Sequence, residues 1–147
     1  MKAFEKQAKT LALIVKSSTK ISNPATQSAI LDEINETVRV AKIMPERRKQ
    51  LLRIMHLARG LETSARAIVD ANGIVLSNDK KNLGGYLSAL ANHGTPIIPQ
   101  NMKKECYDRV ARLRNRVAHG AGQYPTGNLQ VDSAFTSVYN CLSIMLR

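Results

Sequence analysis

The sequence contains no tryptophan and only four tyrosines and two phenylalanines. Aromatics at 4% argue against surfaces that stack successive bases, such as sheet-based RNA modules or single-strand grooves. Acidic residues are also scarce, with 11 Asp and Glu against 22 Lys and Arg and a formal charge of +11. Such a field favours a polyanion: nucleic acid, an anionic membrane surface or an acidic protein. The early apolar run Leu11 to Val15, LALIV, is too short for a signal segment or a membrane span. A soluble, cytoplasmic protein with no membrane partner is therefore expected. Only two cysteines occur, Cys106 and Cys141. Both fall at apolar positions of predicted helices and lack neighbours at metal-ligand spacing. Buried free thiols are expected in preference to a disulfide, with no metal and no cofactor.

What the chain does have is helical patterning. At 147 residues and 44% hydrophobic, it fits one domain, 1–147, with a real core. Apolar residues recur at helical spacing in five stripes. They are Phe4, Ala8, Leu11, Val15; Ile30, Ile34, Val38, Ala41; Ile54, Ala58, Leu61, Ala65, Ile68; Met102, Cys106, Val110, Leu113, Val117; and Val131, Phe135, Val138, Leu142, Met145. A shorter helix is expected around Leu83 to Ala91, weakened by Gly84 and Gly85 at about 1 kcal/mol each. Asn23–Pro24 reads as a cap followed by a first helical proline, and Pro45 repeats the device. Gly73 and Gly94 read as helix stops, and GTPIIPQN and HGAGQYPTGN read as breaker loops. No strand alternation, repeat or low-complexity tract is present. The expected fold is all-α: an up-and-down bundle of about five main helices plus a short one.

Two amphipathic segments concentrate the charge. Glu46 to Arg59 holds five basic residues and one acid, and Met102 to His119 holds six basic and two acidic. A solvated helix face is the commonest fate of such runs. In the second, however, four arginines crowd Arg109 to Arg116, more than the helix dipole calls for. Arginine suits planar, bidentate contact with phosphate, and no helix-turn-helix or zinc-finger pattern marks a DNA reader. At 100° per residue, Asn115 points away from the core stripe, and so do Arg112 and His119. Arg114 and His119 stand about 140° apart on a continuous helix. They meet only if Gly120 turns left-handed and frees His119, or if the arginine of one copy faces the histidine of another.

The stretch RNRVAH resembles the signature of the HEPN superfamily, an arginine, often with a following polar residue, and then a histidine after a spacer of four to six. Arg114, Asn115 and His119 match with a spacer of four, and Arg112 satisfies the pattern with six. The resemblance implies a metal-independent endoribonuclease acting as a homodimer, with both motifs lining one cleft. Many members are toxins or phage-defence effectors held in check by an antitoxin or another regulatory partner; others are inactive binding or dimerisation modules. On that pattern His119 transfers protons, Arg114 holds the scissile phosphate and Asn115 orients either, while Arg112, Arg116 and Arg109 bind phosphates. In the branch whose antitoxins are nucleotidyltransferases, a tyrosine follows the histidine by two residues. Ala121 stands there, so that form of control is not expected. His93 has no arginine upstream at the required spacing and reads as a cap or surface residue, and His56, inside a long predicted helix, reads as a packing residue. An inactive RNA-binding module, an adaptor for an acidic protein and a DNA-binding regulator are the competing readings, in falling order.

Overall fold

Helix ends follow the punctuation in the chain. The Asn23 Oδ1 accepts hydrogen bonds from the N–H groups of Ala25 (2.9 Å) and Thr26 (3.4 Å), with Pro24 in the first turn. This satisfies donors that no helical carbonyl can reach. The computed structural model describes residues 2–147. Its helices are α1 (Lys2–Ser17), α2 (Pro24–Arg39), α3 (Glu46–Ala71), α4 (Leu83–Asn92), α5 (Gln100–Cys106), α6 (Arg112–His119) and α7 (Asn128–Met145). A π turn, Tyr107–Ala111, joins α5 to α6, so residues 100–119 form one unbroken rod. No strand occurs among the described residues. The protein is an all-α bundle of five long rods and the short α4. None of the described helices is long and apolar enough to cross a membrane.

Several boundaries differ from expectation. Pro45 is the N-cap of α3 and not its first helical residue; its carbonyl accepts from the N–H of Arg48 at 2.9 Å. α4 ends at Asn92 because His93 is already extended, so Gly94 is not the stop. Along α2 and the 3-10 turn that follows it, Val40–Lys42, the buried positions after Ile34 are Thr37 and Val40, while Val38 and Ala41 stay half-buried. Thr37 affords that burial by donating its hydroxyl to the Ile34 carbonyl at 2.6 Å. The glycines of α4 have a steric reason. A Cβ on Gly85 would collide with the Lys80 carbonyl, where the incoming chain crosses the helix start.

The 26-residue α3 is the spine, about 39 Å long, and it packs against α2, α4, α6 and α7. Its α2 side is a polar seam. The Glu33 carboxylate takes His56 Nδ1 at 2.8 Å on one oxygen and Arg59 Nη2 at 3.1 Å on the other. His56 therefore packs, as expected, but through a hydrogen bond. Nearby, Arg53 donates from Nε to the Thr37 carbonyl at 2.9 Å and lies 4.2 Å from the Phe4 ring centroid. Cys106 and Cys141 are both free and buried. The hydrogen bond with Cys106, and then burial, push the Cys141 thiol well above its ordinary pKa.

Two tests follow from this packing. Glu33→Ala leaves His56 and Arg59 without their shared acceptor and should cost about 1–3 kcal/mol. A lower urea midpoint at unchanged slope would show this, with Glu33→Gln costing less. Because both thiols are buried and reagents reach only exposed ones, neither cysteine should react with a disulfide reagent at pH 8 until urea unfolds the chain, when both should titrate.

Candidate functional site

Leu113 and Val117 anchor α6 in the core, 5% and 7% exposed, and their spacing decides where everything else on this helix points. Arg112, Asn115, Arg116 and His119 are exposed, and so is Arg109 in the π turn. From Arg112, Asn115 lies about 60° round the helix and His119 about 20°. Arg112, Asn115 and His119 thus share one outward face. Arg112 also meets the Asp108 carboxylate at 3.7 Å, an exposed pair of small worth.

Arg114 is placed differently. It is half-buried, and its Nε is enclosed with no acceptor among the described residues. An unmet donor of this kind costs about 1–3 kcal/mol. Within one chain Arg114 and His119 do not converge, since about 140° of helix separates them.

Gly120 does not bring them together. It is extended, φ −104° and ψ 110°, and is not left-handed. Its N–H donates to the Arg116 carbonyl at 3.1 Å, and its own carbonyl accepts from Gln123 N–H at 2.9 Å. The left-handed residue is Gly122, at φ 75°. What requires glycine at 120 is space. A Cβ there would strike Gln123 Cγ and lie 3.0 Å from the Arg116 carbonyl. His119 consequently stays on the helix, as its last residue.

The returning loop supplies a contact that sequence reasoning missed. The Tyr124 carbonyl accepts from Arg116 Nη2 at 3.4 Å, and the Tyr124 ring lies 4.9 Å from the Arg47 guanidinium carbon. Arg47 stands in the first turn of α3, so the two basic segments meet at Tyr124. The available signal was the loop itself. Pro125 is buried, which pins the chain back against the bundle and carries the neighbouring tyrosine with it. Among the described residues, no group of three or more His, Cys, Asp or Glu side chains is placed to hold a metal ion.

Gly120→Ala should overpack this turn and lower stability by about 1–3 kcal/mol. Adding Gln123→Ala, which removes the colliding Cγ, should recover part of the loss. Thermal unfolding of the two single variants and the double variant measures the coupling, and strict additivity would contradict the steric account.

The chain matches no family model, no curated protein and no solved structure, so the site stands on the geometry of its own residues.

Proposed function

We propose that this chain is a metal-independent endoribonuclease of the HEPN type, acting in the cytoplasm as a homodimer with a composite site. The observation that carries the reading is the outward face of α6. An exposed His119 and Asn115 stand there beside Arg112, and a half-buried Arg114 holds an unused donor on the flank. RNA cleavage by its own 2′-hydroxyl needs those parts. One histidine takes the 2′-OH proton as O2′ attacks phosphorus. A second, protonated histidine delivers a proton to O5′ as the P–O5′ bond breaks. Guanidinium groups carry the extra negative charge of the phosphorane without losing their own protons.

One chain supplies one such histidine, and its Arg114 points away from it. A two-fold dimer built on the outward face would provide two histidines and set the arginine of each copy before the histidine of the other. Asn115 would orient the histidine or the phosphate, and Arg109, Arg112 and Arg116 would bind neighbouring phosphates. A toxin or phage-defence role, with an antitoxin or another regulator as partner, accompanies this reading. A second reading is favoured by the divergence of Arg114 and His119 within the chain: an RNA-binding or dimerisation module without catalysis.

Purified protein incubated with total RNA in excess EDTA, beside His119→Ala, separates the two. Cleavage by the parent alone, leaving 2′,3′-cyclic phosphate and 5′-hydroxyl ends, is the expected result. DNA should survive, because it lacks the nucleophile. Intact RNA with a folded, dimeric parent protein would favour the binding module.

A further inference from the structure

The rod of residues 100–119 carries a second feature before the motif. Between α4 and α5 lies a groove of about 450 Å³ lined by Gly84, Ser88, Gln100, Lys103, Lys104 and Tyr107. Space of that order accommodates a small ligand or one unit of a polymer. Tyr107 is 47% exposed, the only large aromatic side chain so exposed among the described residues. A Cβ on Gly84 would stand 3.2 Å from Tyr107 Cε2, so the missing side chain lets the ring lie close against α4. Neither Lys103 nor Lys104 makes an ion pair with any described residue, and the nearby Asp108 is engaged with Arg112. The groove therefore sets one aromatic ring and the polar side chains of Ser88 and Gln100 beside two lysines, complementary to a base bearing phosphate.

The π turn relates this groove to the motif. On an α-helix, residue 112 would stand about 140° round from residue 107. Here the Arg112 N–H bonds to the Tyr107 carbonyl, five residues back, which brings Arg112 round to nearly the same side as Tyr107. Asn115 and His119 then follow within about 60° of Arg112. The burial pattern agrees. Lys104, Tyr107, Arg112, Asn115 and His119 are exposed along the rod, while Cys106, Val110, Leu113 and Val117 are buried behind them. Tyr107 and His119 lie about 18 Å apart along the axis, within reach of a short extended strand.

We infer that the groove is a nucleotide subsite for single-stranded RNA, in which one base stacks on Tyr107 and the adjoining phosphates sit on Lys103 and Lys104. The strand then runs along the rod to His119. The scarcity of aromatics limits stacking to this single platform, and the remaining contacts are to phosphate. The inference rests on the reading of the chain as an RNA-acting protein, but not on catalysis.

A fluorescent 2′-O-methyl oligoribonucleotide, which has no free 2′-hydroxyl to attack, tests it by anisotropy. Tyr107→Ala should weaken binding about fivefold to a hundredfold, the range that loss of one base–aromatic stack produces. Tyr107→Phe, which keeps the ring and its contact with Gly84, should bind as the parent does. Lys103→Ala with Lys104→Ala should lower the salt dependence of binding, by about 0.7 in log–log slope per lost phosphate contact. Parent-like affinity and salt slope in folded Tyr107→Ala and double-lysine variants would overturn the subsite while leaving the RNA reading intact. No binding by the parent would overturn both. Weakened binding by Tyr107→Ala, in a protein that cleaves nothing in EDTA, would support the subsite and defeat the ribonuclease.

Discussion

Arg53 sits where three helices meet, and the arrangement of the bundle depends on how its charge is accommodated. It is 4% exposed, and burial lowers its pKa from the ordinary guanidinium value. A buried cation is tolerated only where hydrogen bonds and polarizable surfaces replace the lost water. The Thr37 carbonyl of α2 and the Phe4 ring of α1 do this, while Glu46, Asp132 and Glu5 contribute at longer range. These contacts fix α1 and α2 against α3. α3 also packs against α4, α6 and α7 and carries Arg47 to the end of the bundle where Tyr124 folds back.

The same spine explains how a chain of such positive charge keeps a compact core. The two basic segments bury their apolar stripes and turn most of their cations outward, the buried Lys49 and Arg53 excepted. At Tyr124 they come together around one ring and one carbonyl. An aromatic face beneath a guanidinium offsets some of the repulsion between neighbouring cations. The loop after α6 therefore helps to hold Arg47 and Arg116 near one another, beyond its role of linking two helices.

Much of the fold was legible because it rests on local rules. The stripes of α1, α3 and α7 are buried as their spacing predicts, and Asn23 caps where an asparagine before a proline should. Asn115 faces outward because Leu113 and Val117 fix the phase of α6 from only two residues on either side. The seam of Glu33, His56 and Arg59 was not legible, since it joins residues distant in sequence, and no periodicity reveals which carboxylate a histidine will meet. Thr37 was missed because a threonine scores as polar until its hydroxyl is seen bonded to its own helix. The turn at Gly120 was read for handedness, whereas the clash that requires glycine comes from Gln123, whose position depends on the whole loop.

The π turn bears on how this chain is compared with others. A π turn holds one residue more than the α turn it replaces, and such turns occur mostly as single insertions within α-helices. Spacing counted across Tyr107–Ala111 therefore slips by one residue against an uninterrupted helix. Cys106 and its neighbours align in one frame, and Leu113 to His119 align in the next. A relative without the extra residue could share both halves of the rod and still turn its histidine toward a different neighbour. Alignment of such chains has to be made in two separate pieces, with a gap allowed inside the helix where gaps are ordinarily forbidden.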